Sequence, residues 1–326
     1  MRKYILSVTV LVLAVFIALF AGNTAMDSRH VMEVICGGGS PAERVIIFQI
    51  RIPRILASLV SGAALAVSGY LLQDNLNNII ASPGLLGINN GAGLFVLISA
   101  LVFPYKSGMK CLMSFTGALL SAAIVCVLSI GTGMSKTSVI LSGVAGGSLM
   151  ASLTQVIISL KPETVADKVA FSLGGFANTG QDMMKTAIPV IITALILSFI
   201  TAGSLDLMLL GDETATGLGV NVTFYRLIFI ALASLLAGAA VSMCGLIGFV
   251  GLMVPNFIRM AWNGKSRENV LRCILTGAAF LLLADTAARL IVFPYELPCG
   301  LITNILGTPS LICVLAKKRK RLGTYD

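Results

Sequence analysis

Residues 51–93 run RIPRILASLVSGAALAVSGYLLQDNLNNIIASPGLLGINNGAG. Arg51 and Arg54 flank Pro53, an apolar run broken only by small residues extends from Ile55 to Leu72, and a polar patch follows from Gln73 to Asn78. As a helix, Arg51–Leu72 is about 33 Å long, enough to cross a bilayer with its charged end at one surface. Ser58, Ser61, Gly62, Ala66 and Gly69 recur near helical spacing, a face that lets two membrane helices approach closely. With Pro53 setting the first turn, Arg51 and Arg54 are read as pointing from one edge of the helix start toward solvent. Positive charge at a helix N-terminus opposes the macrodipole, which suggests that these charges serve a partner.

The rest of the chain has the same character. Of 326 residues, 57% are hydrophobic and 11% charged, with mean hydropathy +0.96. A soluble domain carries about 25% charged residues. The reading is an all-α polytopic membrane protein, residues 1–326 forming one transmembrane domain. The net charge of +9 fits the positive bias of cytoplasmic loops and does not argue for nucleic acid.

Ten spans are expected, at about 5–22, 52–72, 86–103, 110–130, 138–160, 186–204, 226–244, 248–262, 273–292 and 300–316. Arg2-Lys3 with Ile5–Phe20 resembles a signal peptide, and Ala21, Gly22 and Ala25 a cleavage region, but an uncleaved first span is preferred. Basic residues at Arg2-Lys3, Lys265, Arg267, Arg272 and Lys317–Arg321 then belong in the cytoplasm with both termini, the tail lying beside anionic lipid. Arg51, Arg54 and Arg289 fall outside, residues 161–185 form an external loop, and residues 205–225 lie inside. Ser61-Gly-Ala-Ala…Gly69 matches Ala237-Gly-Ala-Ala…Gly245, and the two copies run in opposite directions, a weak inverted repeat of the kind found in transporters.

Cys111, Cys126, Cys244, Cys273 and Cys313 sit in or beside apolar runs as small hydrophobes. Cys36 and Cys299 are both expected outside, which leaves a disulfide between them open. His30 has no partner, so no metal site is expected. Gly264-Lys265-Ser266 is not a P-loop, because Arg259 stands where its first glycine belongs and no strand precedes it. Pro255 should kink or break the short eighth span. Asp285 and Arg289, four apart, can pair on one helix face.

Several stretches resemble the membrane permease of ABC importers for iron–siderophores, haem and cobalamin. They are Arg51-x-Pro-Arg54 with Gly62-Ala-Ala-Leu-Ala-x-Ser-Gly69 and Ser82-Pro-Gly-Leu-Leu-Gly87; the coupling-loop pattern within LGDETATGLGVN, residues 210–221; GLIGFVGLMVPNFIRMAWNG, residues 245–264; and Asp285-x-x-Ala-Arg289 with Glu296-Leu-Pro-x-Gly300. Phe171–Phe176, FSLGGF, resembles the family's segment at a short external helix. Departures are Asn78-Ile-Ile-Ala81 for Asn-Pro-Leu-Ala, Asn256 for a usual histidine, and Cys299 for a small aliphatic residue.

The resemblance implies the membrane subunit of a type II importer in a bacterial cytoplasmic membrane. Its partners are a second permease copy or paralogue, two ATPase subunits and an external substrate-binding protein. It implies ATPase coupling at Gly211, Glu213, Ala215, Leu218 and Gly219, a gate at Ser135, Lys136 and Thr137, and docking of the binding protein at Arg51, Arg54 and Arg289. Pro255 and Asn256 would form a helix break. No cofactor is expected on this chain, and ATP is used by the partner subunit. The expected cargo is a ferric siderophore, with haem or cobalamin as alternatives. An ion-coupled secondary transporter is the rival from another class, a channel a third. The candidate acids for ion coupling, Asp74, Asp206 and Asp285, all fall near span ends.

Overall fold

The computed structural model describes residues 2–21, 28–103, 107–131, 133–177, 179–262, 264–292 and 295–322, without the side chains of 2–4, 28, 107, 167 and 313–322. Gly22 and Ala25, and the side chains of Arg2, Lys3, Cys313 and Lys317–Arg321, therefore lie outside the described residues. No strand occurs among the described residues. The α-helices are α1 (Arg2–Phe20), α2 (Ser28–Ile35), α3 (Pro41–Val45), α4 (Ile52–Asn75), α5 (Ile88–Val102), α6 (Ser107–Gly131), α7 (Lys136–Leu160), α8 (Val165–Leu173), α9 (Gln181–Met208), α10 (Asp212–Gly217), α11 (Val222–Cys244), α12 (Val250–Ala261), α13 (Ser266–Leu290) and α14 (Cys299–Leu322).

Six helical runs are long and apolar enough to span a membrane: Pro41–Asn75, Gly108–Gly131, Lys136–Leu160, Gln181–Met208, Val222–Cys244 and Ser266–Leu290. Shorter apolar helices at Ile5–Phe20, Ile88–Val102, Val250–Ala261 and Cys299–Ile312 complete the expected set. The 161–185 segment is more helical than expected, because α8 occupies its middle and α9 begins at Gln181.

The segment before α4 corrects the reading of its arginines. Helix continues from Pro41, where Ser40 and Glu43 form a capping box, through a π segment at Ile46–Arg51 and into α4. Pro53 has no N–H to donate, so one bond of the ladder is lost. The helix absorbs this by widening one turn: the Ile52 N–H reaches the Ile47 carbonyl. Arg51 has ordinary helical angles, φ −69° and ψ −52°. Arg51 and Arg54 are thus inside a long helix, and the macrodipole argument does not apply to them.

The repeat is visible in the packing. The α4 and α11 helices form the central pair and run in opposite directions. The α4–α13 contact has its counterpart in α11–α6, α4–α12 in α11–α5, α5–α6 in α12–α13, α5–α7 in α12–α14, and α6–α7 in α13–α14. The matched glycines sit at equivalent crossings, Gly62 against Gly277 and Gly238 against Ala118. The short helices α5 and α12 both begin at non-helical lead-ins, and residues of both lead-ins line one cavity of about 90 Å³ beside Leu65.

Candidate functional site

Three polar clusters stand at the helix ends. At the end of the bundle carrying Arg54, the Arg54 guanidinium donates from Nε and Nη2 to the two Asp285 oxygens, both at 2.9 Å, and from Nη1 to Glu296 at 2.8 Å. Arg289 Nε lies 3.3 Å from the same Asp285, so the pair expected from their spacing forms. Arg51 Nη1 donates to the Leu19 carbonyl at 2.9 Å. Arg51 and Arg289 are each 4% exposed and Asp285 is 1% exposed. The expectation that these arginines point to solvent is therefore corrected. Their acceptors lie on α1, α13 and the segment after it, and the groups face inward.

Beside this cluster is a cavity of about 330 Å³ lined by Arg54, Lys110, Phe171, Glu296 and Cys299, among others. The FSLGGF stretch closes one side. Gly174, at φ +63°, ends α8 in a conformation that favours glycine. The Gly175 N–H then bonds to the Cys244 carbonyl and the Leu246 N–H to the Phe171 carbonyl, both at 2.8 Å. Cys299 is buried, Cys36 is exposed, and both are free thiols.

The second cluster lies at the opposite end of α4 and contains Pro255 and Asn256. The α12 helix is not broken at Pro255; the irregular backbone comes earlier, at Gly245–Phe249. The carbonyl that Pro255 leaves unpaired belongs to Gly251, and Gln73 of α4 donates to it at 3.0 Å. Asn256 donates to the Ile79 and Leu252 carbonyls at 2.9 and 2.8 Å and accepts from Arg259 at 3.1 Å, so it uses both halves of its amide. The Asn78–Ala81 turn, which lacks the family's proline, is closed by Asn78, whose side-chain oxygen accepts from the Ile80 N–H. Arg259 also pairs with Asp74 at 2.5 Å and bonds Gln73. Asp206 accepts from the Ser266 N–H and hydroxyl at the start of α13. Each acid weighed for ion coupling thus has a partner inside the fold.

The third cluster brings together two segments that the sequence kept apart. Asp212 opens α10, and Lys136 opens α7 after the Ser135 N-cap, whose hydroxyl accepts from the Ser138 N–H. Lys136 Nζ lies 3.4 Å from Asp212. Arg226 of α11, 3% exposed, donates to both Asp212 oxygens at 3.0 and 2.9 Å and to the Met134 carbonyl at 2.5 Å. Partial burial favours the neutral Asp212 carboxyl, but Arg226 and Lys136 outweigh it and hold the group below the ordinary carboxylate value. With the folded value below the unfolded one, the pairs add stability that is present above pH of about 4 and lost only as pH falls through the lowered value. Protease cleavage within 205–225 should therefore stay constant from about pH 7 to pH 4; a steep rise between them would mean that Asp212 is not held ionised.

The residues read as coupling to an ATPase divide by exposure: Ala215 is fully buried, Glu213 and Gly219 are exposed, and Leu218 is 59% exposed. Gly211 and Gly219, at φ +108° and +86°, bracket α10.

Residues 10–317 match the sequence profile of the FecCD transport family. The chain belongs to this family. It is 34% identical over 323 residues to the Fe(3+)-citrate import system permease protein YfmD of Bacillus subtilis, covering 99% of this chain and 96% of that protein. It is 35% identical to the hemin transport system permease protein HmuU of Yersinia pestis, covering 95% of each. The structure of a metal-chelate type ABC transporter in an inward-facing conformation superimposes with TM-score 0.85 at 24% identity, over 97% of this chain and 99% of that one, and shows the shared fold.

In this FecCD permease, sequence reasoning missed Arg226, Asp212 and Arg259. An isolated charge at the edge of an apolar run was the available signal. An arginine there is costly unless it is paired.

Proposed function

We propose that the chain is the membrane-spanning subunit of an ATP-driven importer of ferric chelates, in a multi-pass arrangement within a bacterial cytoplasmic membrane. The FecCD match over residues 10–317 carries this reading. The chain performs no chemistry and binds no cofactor; separate ATPase subunits hydrolyse ATP, and a second permease subunit completes the pathway. The cargo belongs to the ferric citrate and siderophore class, with haem as the alternative, in keeping with relatives named for Fe(3+)-citrate, siderophore and hemin transport.

The end carrying α10, Lys265 and Arg267 faces the cytoplasm, together with both termini, by the positive bias of inner loops. There α10 is the coupling helix. Buried Ala215 seats it on the bundle, while exposed Glu213 and Leu218 present one acidic and one apolar group to a groove of the ATPase. Ser135, Lys136 and Thr137 form the gate turn beside it. The external binding protein meets the Arg54 end, where residues of α8 line the same cavity as Arg54 and Tyr295 is exposed.

Glu213→Arg tests the inner assignment. The variant should insert normally but retain less ATPase subunit on co-purification and import less cargo. Full ATPase recovery with full uptake would remove α10 from the coupling role. Uptake of labelled ferric citrate, a ferric siderophore and haem by the complete complex then separates the cargo classes.

A further inference from the structure

Between the coupling helix and the gate turn stands one buried side chain. Arg226 sits on the second turn of α11, and its main-chain carbonyl accepts from Asn75 of α4 at 3.2 Å, which fixes its base in the bundle. Its guanidinium bonds two separate elements at once. Both Asp212 oxygens accept from Nη2, and the Met134 carbonyl accepts from Nη1. On the first element, α10 lies between Gly211 and Gly219, both at positive φ, and a β-carbon added at either would meet nothing within 4 Å. The two glycines thus supply backbone turns on either side of α10 that other residues rarely adopt. On the second, Gly133 and Met134 are both at positive φ, 84° and 52°, directly before the Ser135 cap of α7. Lys136 adds a direct contact to Asp212.

We propose that Arg226 is a positioning residue that transmits movement of α10 to the turn between α6 and α7. The link runs from the Asp212 carboxylate through the guanidinium to the Met134 carbonyl. This rests on the reading of α10 as the coupling helix. A charge-assisted hydrogen bond is a strong one, so a tilt of α10 that moves the carboxylate draws Nη2 and the guanidinium with it. The planar group carries that movement to a carbonyl on its far side. Among the described residues, the buried Arg226 Nε–H has no hydrogen-bond partner. A plain anchor would need only the Asp212 contact; the bond to Met134 ties Arg226 to the second loop as well, alongside the direct Lys136–Asp212 contact.

The experiment uses the complete importer, with its ATPase subunits and binding protein, in proteoliposomes. Asp212→Asn, Asp212→Glu, Arg226→Gln and Arg226→Lys are compared for ATPase subunit retention, ATP hydrolysis and cargo uptake. Labelling of Thr137→Cys by a maleimide is followed in parallel with and without nucleotide. Asp212 is 40% exposed, so Asp212→Asn should assemble even if Arg226→Gln folds poorly. Asp212→Asn should keep its ATPase subunits but deliver about tenfold less cargo per ATP, within the ordinary range of coupling between sites. Labelling at Thr137→Cys should lose its nucleotide dependence, and Asp212→Glu should restore both. An unchanged cargo-to-ATP ratio in the assembled Asp212→Asn complex overturns the link while leaving the coupling helix in place. Loss of the ATPase subunits from Asp212→Asn also overturns it, since Asp212 would then belong to the docking surface. Glu213→Arg with normal ATPase retention and normal uptake instead refutes the coupling helix itself.

Discussion

Asp285→Ala is expected to destabilise the permease by about 3–5 kcal/mol, the cost of breaking a buried ion pair from one side. The carboxylate is 1% exposed and is shared by Arg54 and Arg289. Among the described residues, its removal leaves Arg289 with only the Thr286 hydroxyl and the Asp285 backbone carbonyl, at 3.3 and 3.5 Å, and Arg54 with Glu296 alone. Arg289→Met should cost less, because Asp285 then keeps its two-pronged bond to Arg54. Thermal unfolding of the solubilised protein provides the measurement. A loss under about 1 kcal/mol for Asp285→Ala, the scale of an exposed pair, would show that these groups reach water. The same geometry changes how external docking should be tested. Reversing Arg51 and Arg54 to glutamate would break the fold before it reached any partner, so substitutions at Tyr295 and Val169, both exposed, are the informative ones.

Gly69→Val should be nearly as damaging, for a reason of shape. A β-carbon at Gly69 would collide with the backbone of Gly251, and one at Gly62 with the carbonyl of Gly277. A backbone atom cannot rotate aside as a flexible side chain can, so α4 and α12 must separate. Overpacking costs about 1–3 kcal/mol in general, and here the separation also removes the Gln73 bond to the Gly251 carbonyl, worth about 1 kcal/mol. Gly131→Ala is the control: nothing lies within 4 Å of its added carbon, and alanine is the better helix former. Equal melting temperatures for Gly69→Val and Gly131→Ala would mean that the α4–α12 crossing is loose.

The spans were legible because lipid demands long apolar helices, a demand written in composition alone. The inverted repeat was legible from four small residues because helix crossings in membranes select for them. The direction of Arg51 and Arg54 was not. Pro53 reads as a helix start, and only the Ser40-Pro41-Ala42-Glu43 capping box shows that helix began earlier. Pro255 misled in the same way: a proline in a short span suggests a break, but whether the freed carbonyl finds a donor depends on Gln73, far away in sequence. Arg226 was silent because its partners become neighbours only when α10 folds back onto the bundle.

The charge pairs also impose an order on manufacture. Arg54 meets Asp285 across 231 residues, and Asp74 meets Arg259 across 185. The ribosome delivers the first member of each pair well before the second. Until α12 and α13 are threaded into the bilayer, the nascent N-terminal half holds an arginine and an aspartate without their final counter-ions, each costing about 2.5–3.5 kcal/mol at the centre of a span and less toward its ends. The early half is therefore not an electrostatically finished module. A fragment that ends before residue 259 holds neither the counter-ion of Asp74 nor that of Arg54.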